Sequence, residues 1–171
     1  SGALYFTDPT YGLRDNAARQ EQPVQGVYRL NPDGILSLIE TSFTQPNGLA
    51  FSPDETLLYI GDSQNKVIRR FHVLPDGKLA GGELFVDLRG EERAGNPDGM
   101  KVDEDGRLWT TGAGGIWAIA PDGTCLGFLL FPEITANIAF GDSDFSTLYV
   151  TARTSVYRVE TTVRGIAPGS R

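Results

Sequence analysis

The 171-residue chain predicts an all-β fold of β-propeller type, and three observations carry that expectation. An aromatic strand recurs four times at intervals of about 40–54 residues, the spacing of propeller blades. Apolar runs rich in β-branched and aromatic residues are short and bounded by Gly, Pro, Asn or Asp, with Pro-Asp-Gly spelled four times. No segment carries a sustained helical period.

The aromatic strands align as Ala3-Leu4-Tyr5-Phe6-Thr7-Asp8, Leu57-Leu58-Tyr59-Ile60-Gly61-Asp62, Arg107-Leu108-Trp109-Thr110-Thr111-Gly112 and Thr147-Leu148-Tyr149-Val150-Thr151-Ala152. Each is the second strand of its unit. A short innermost strand precedes it in three units, at Leu49–Phe51, Met100–Val102 and Ile138–Phe140. A third strand ends at a Pro-Asp-Gly turn (Pro32-Asp33-Gly34, Pro75-Asp76-Gly77, Pro121-Asp122-Gly123). A fourth follows at Ile35–Ile39, Leu84–Leu88 and Thr124–Leu130. Four antiparallel strands per unit, repeated radially, is the propeller plan. The count is about fourteen strands, or about three and a half blades, and the first unit opens directly on its second strand. Propellers close with four to eight blades, and an open ring leaves apolar blade faces bare. Residues 1–171 are therefore expected to be the C-terminal part of one longer propeller domain. The N-terminal blades or a second chain would complete it; a self-contained four-bladed ring and pairing with a second copy are the competing arrangements.

Composition narrows the function. A net charge of −7 without a Lys/Arg cluster argues against a nucleic-acid binder. No run of about twenty apolar residues spans a membrane, and Ser1 to Phe6 lacks the basic start of a signal peptide. A soluble protein of undetermined compartment, cytoplasmic or periplasmic, is expected. Cys125 is the single cysteine, so an internal disulfide and a Cys-based zinc site are ruled out; it is expected to be a buried, inert thiol. His72 is the single histidine, embedded in a strand and expected to serve packing or surface. No Gly-x-Ser-x-Gly elbow accompanies it.

One Pro-Asp-Gly is out of phase. Pro97-Asp98-Gly99 precedes the innermost strand instead of closing a hairpin, and its partner in that phase is Pro46-Asn47-Gly48. The following unit offers Asn137 at the same address, in Thr135-Ala136-Asn137-Ile138. Turns entering the innermost strands converge on a propeller axis, and carboxylate and amide oxygens gathered there suit a hard cation such as Ca²⁺. Asn and Asp before Gly are also good turn formers in their own right. The common phase of the three residues favours a functional site.

These residues resemble the senescence-marker-protein/gluconolactonase/regucalcin family of six-bladed propellers. The resemblance lies in Leu4-Tyr5-Phe6-Thr7-Asp8-Pro9-Thr10-Tyr11-Gly12, Pro46-Asn47-Gly48-Leu49-Ala50-Phe51-Ser52 and Asn96-Pro97-Asp98-Gly99-Met100. It continues in Ala136-Asn137-Ile138-Ala139-Phe140-Gly141 and Leu148-Tyr149-Val150-Thr151-Ala152. The Phe-Thr-Asp-Pro-x-Tyr-Gly stretch looks most like the gluconolactonase branch. The resemblance implies a divalent cation, Ca first with Zn, Mg or Mn as alternatives, held in part by Asn47 and Asp98. It implies Asp98 as general base, metal-dependent hydrolysis of a sugar lactone, and further ligands in N-terminal blades. Asn137 would line the channel or bind substrate. A non-catalytic propeller binding module and a calcium-binding protein without turnover are the alternatives.

Other features read more plainly. Asp103-Glu104-Asp105-Gly106 lacks the EF-hand spacing and is expected to be a solvated turn. Gly112-Ala113-Gly114-Gly115 is expected to be a tight hairpin, and Asp8 and Asp62 to cap turns. The insertions Pro9–Gln25 and Arg89–Gly95 either line a binding mouth or run over the surface.

Overall fold

The computed structural model describes residues 2–13, 19–167 and 169. It contains fourteen strands in four antiparallel sheets. The first sheet is β1 (Leu4–Asp8), β2 (Gly26–Leu30) and β3 (Leu36–Glu40). The second holds β4 (Pro46–Phe51), β5 (Leu57–Asp62), β6 (Val67–Val73) and β7 (Leu79–Asp87). The third holds β8 (Met100–Val102), β9 (Leu108–Gly112), β10 (Gly115–Ile119) and β11 (Cys125–Leu130), and the fourth β12 (Thr135–Gly141), β13 (Thr147–Ala152) and β14 (Val156–Glu160). Every sheet is a meander in which sequence neighbours pair. A short 3-10 turn at Thr10–Leu13 is an addition to the expected elements.

The three in-phase Pro-Asp-Gly turns share one geometry. Gly34, Gly77 and Gly123 sit at φ of 87°, 80° and 93° and donate their N–H to Asn31, Leu74 and Ala120. The Asp before each glycine accepts the N–H of the residue after it (Ile35, Lys78, Thr124). A side chain at that φ would be strained, so glycine is the residue the turn requires. Gly99 behaves otherwise: its N–H crosses to Ala136 O at 2.9 Å in the next sheet. The out-of-phase copy is therefore an inter-sheet joint and not a hairpin.

Period-2 alternation sends successive side chains to opposite faces, and three apolar layers result. Leu58, Ile60 and Phe71 pack with Val27 and Phe43 between the first and second sheets. Tyr59 and Ile68, on the opposite face, meet Met100, Val102, Leu108 and Ile119 between the second and third. Ile116, Ile138, Leu148 and Val150 fill the space between the third and fourth. Each such fully buried side chain contributes roughly 1.5–3 kcal/mol relative to exposure. His72 is exposed on β6, as expected of a surface residue.

Two expectations are corrected. Cys125 is exposed, because β11 is an outermost strand with five of its six residues solvent-facing. Asp103 is fully buried instead of solvated. Its carboxylate accepts from the N–H groups of Asp105 and Arg107, from Arg107 Nε at 2.7 Å and from Trp109 Nε1 at 2.9 Å. A bridge to Gly165 ties the C-terminal segment to the same turn. Asp103→Ala removes the acceptor of Arg107 Nε and of the Trp109 indole N–H, leaving Arg107 only Asp105, and is expected to cost about 3 kcal/mol. The measurement is a urea midpoint at unchanged m; a midpoint equal to that of the unaltered protein would remove this turn from the account of stability.

Candidate functional site

The innermost strands β4, β8 and β12 approach one another at their N-terminal ends. Their contact is backbone to backbone. An added Cβ on Gly48 would overlap the Asp98 carbonyl oxygen and stand 2.9 Å from its carbon; one on Gly99 would stand 2.6 Å from Asn137 Cα. Glycine at both positions lets the three entries close up. Asn47 and Asn137 lie beside register shifts, between Pro46 and Leu49 and between Thr135 and Asn137. The predicted turns are thus bulged strand starts, which aim a side chain off the regular ladder.

Asn47 and Asp98 line one hollow, where the Asn47 amide favours the ionised form of the Asp98 carboxyl. Asn47 Nδ2 also donates to Ser63 Oγ at 3.0 Å and to the Tyr11 hydroxyl at 3.3 Å. Ser63 Oγ gives its own proton to Pro97 O, so toward Asn47 it can only accept, and this fixes the amide's direction. Asp98 N–H is held by Thr111 Oγ1 at 2.8 Å, and Thr111 Oγ1 donates to Asn96 O. Asn137 adjoins the pair through Gly99, but it is exposed and its Oδ1 accepts from Ile138 N–H at 2.8 Å. Asp62 caps a turn, accepting from Thr44, Asn65 N–H and Asn65 Nδ2.

The support residues were not singled out from sequence. Thr7, Thr111 and Thr151 occupy one position of the repeat, two after the aromatic. Their hydroxyls bond Asn47 O, Asn96 O and Asn137 O respectively. That shared position was the available signal. Ser63 had none, because its role depends on a residue 34 positions away.

Tyr11, Asn47, Ser63, Asn96, Asp98 and Arg153 line a hollow of about 360 Å³. Two larger hollows lie elsewhere. One of about 660 Å³ is lined by Asp8, Thr10, Leu13, Arg19 and Glu21, and one of about 560 Å³ by Lys101, Glu55 and Phe140. The smaller hollow is the candidate site because polar groups converge there on a carboxylate whose charge is poorly compensated. Burial pushes the Asp98 carboxyl up from its ordinary value, and the hydrogen bond from Asn47 offsets this only in part. Other carboxylates are saturated by donors: Glu133 is held down at about 2, first by Ser155, and Asp142 at about 2, first by Thr147.

The donor chemistry fits a hard cation. Asp98 offers a carboxylate short of positive partners, and Asn47 offers an amide oxygen once the amide turns to present Oδ1. No group of three or more His, Cys, Asp or Glu gathers among the described residues. Two side chains fall short of the six to eight oxygens that Ca²⁺ takes, so water and further ligands would have to complete the shell.

Fold and site together define the class: a β-propeller-like protein with an amide–carboxylate pair where its innermost strands meet. Residues 1–154 match the model of the SMP-30/Gluconolactonase/LRE-like region, and the chain belongs to that family. It is 41% identical to the gluconolactonase of Zymomonas mobilis over 175 residues, which cover 96% of this chain and 49% of that protein. It is 33% identical to the L-arabinolactonase of Azospirillum brasilense, covering 89% of this chain and 49% of that one. The solved structure of a gluconolactonase from Xanthomonas campestris superposes with a TM-score of 0.81 at 33% identity, over 96% of this chain and 54% of that chain. The chain spans about half the length of the curated relatives it matches. No helix among the described residues is long and apolar enough to cross a membrane.

Proposed function

We propose that the intact protein hydrolyses a sugar lactone with the help of a divalent cation held in part by Asn47 and Asp98. The observation that carries this reading is the convergence of those two side chains in one hollow, with the Asp98 carboxyl pushed up by burial. The lactonase names of relatives at 41% and 33% identity support the substrate class. A six-bladed ring, with residues 1–171 as the C-terminal part of its single domain, belongs to the same reading. Its support is the run of three-, four-, four- and three-stranded sheets and the half-length match to relatives.

When bound, Ca²⁺ would polarise the lactone carbonyl and acidify a nearby water. Asn47, its amide turned away from Ser63, would present one oxygen, and Asp98 would present another while keeping its second oxygen free. That second oxygen takes the proton of the attacking water. The bond between carbonyl carbon and ring oxygen would then break, Asp98 would return that proton to the ring oxygen, and the open-chain acid would leave.

The test is titrimetric. The intact protein at pH 7 is expected to open glucono-1,5-lactone well above the spontaneous rate. Exhaustive chelation should abolish the excess, and added Ca²⁺ should restore it. Chelator-resistant turnover would remove the cation from the mechanism. A cation-loaded protein that opens no lactone would leave the non-catalytic reading in its place.

A further inference from the structure

We infer that Tyr11 is the platform on which the substrate's sugar ring stacks, making it the specificity-determining residue of the hollow. This rests on the reading of the hollow as a sugar-lactone site. Tyr11 lies on the 3-10 turn Thr10–Leu13 and is 46% exposed. It supplies the aromatic wall among the described lining residues, the others being polar, small or aliphatic apart from Arg153. Its turn is anchored, since Gln25 Oε1 accepts from both Thr10 N–H (3.0 Å) and Thr10 Oγ1 (3.2 Å) at the foot of β2. The ring is thus presented from a fixed base.

No ring among the described residues covers its face. Three of the four repeat aromatics pair with another ring, Tyr5 with Phe51, Tyr59 with Phe85 and Trp109 with Phe140, whereas no ring pair among the described residues includes Tyr11. The hydroxyl accepts from Asn47 Nδ2, which places the ring directly beside the candidate reacting centre. A phenol combines an apolar face with a polar tip and loses few torsions on ordering. A sugar lactone is its complement, with C–H groups on one face and hydroxyls around the edge. A ring stacked on Tyr11 would lie next to Asn47 and Asp98, where its carbonyl must sit. The hydroxyl proton of Tyr11, which has no acceptor among the described residues, remains for a substrate hydroxyl. A lactone lacking a hydroxylated ring would gain little from this wall.

The experiment titrates D-glucono-1,5-lactam, a lactone mimic that is not opened, into the intact, Ca²⁺-loaded protein by calorimetry. It compares the unaltered protein with Tyr11→Phe and Tyr11→Ala, each checked for an unchanged thermal midpoint and Ca²⁺ affinity. The platform predicts about tenfold or greater loss of lactam affinity in Tyr11→Ala, and retention within about threefold in Tyr11→Phe. Equal affinity in Tyr11→Ala overturns it. So does a loss in Tyr11→Phe as large as in Tyr11→Ala, since the hydroxyl acting through Asn47 would then carry the effect. If the expected pattern appears in a protein that opens no lactone, the hydrolase reading falls and the platform stands. Failure of the unaltered protein to bind the lactam overturns the platform, whatever lactones it opens.

Discussion

Asp98→Asn is expected to lower kcat/KM of the intact protein for a sugar lactone by about three orders of magnitude, within the range attributed to a positioned general base. The amide keeps the size and the hydrogen-bonding edge of the carboxylate, so the variant should fold. It lacks the lone pair that takes the proton and the charge that holds the cation. The same substitution should raise the thermal midpoint of the chelated protein above neutral pH. Burial raises the folded-state affinity of Asp98 for its proton, so the unfolded chain gives that proton up first. Stability is therefore lost as pH climbs from the unfolded value through the higher folded one, and Asn removes that loss. Added Ca²⁺ should reverse the order, stabilising the unaltered protein and not the variant. A variant within tenfold of normal kcat/KM would exclude Asp98 as the base. A chelated variant no more stable than the parent would mean that burial of this carboxylate carries no cost.

Gly48→Ala is expected to be the most damaging small substitution at the site. The new methyl would overlap the Asp98 carbonyl oxygen and stand 2.9 Å from its carbon. Both obstacles are backbone and cannot rotate away. The innermost strands of the second and third sheets would have to separate, which strains β4 and moves Asp98 away from Asn47. A cost on the order of 3 kcal/mol is expected, with loss of lactone opening. Gly90→Ala is the control: nothing lies within 4 Å of its added methyl, and the change should be near neutral. Urea midpoints of the two variants decide the matter. A Gly48→Ala protein as stable and active as the control would show that the joint is looser than the contacts indicate.

Much of this architecture was readable before any coordinates, because it depends on local chemistry. The strand run Val67–Val73 and the short strand Met100–Val102 are found with the bounds read from their apolar and β-branched residues. The three in-phase Pro-Asp-Gly turns needed only proline's fixed φ, the Asp side chain's reach and glycine's freedom. The repeat phase also set Asp98 and Asn47 apart from those turns, and the two residues line one hollow.

Other features depend on partners far away in sequence. Cys125 sits in an apolar run that reads as core, yet β11 is outermost in its sheet and the thiol is exposed. Asp103 reads as a loop acid, yet Arg107, Trp109 and the Gly165 segment close over it. Asn137 shares the repeat address of Asn47, yet its oxygen is taken by its own strand. Periodicity and turn chemistry are properties of neighbouring residues, so the chain's order alone settled the strands, the hairpins and the odd Pro-Asp-Gly at Asp98. Burial, the orientation of Asn47 by Ser63 and the upward push on Asp98 arise only when sheets meet, and tertiary packing alone decided them.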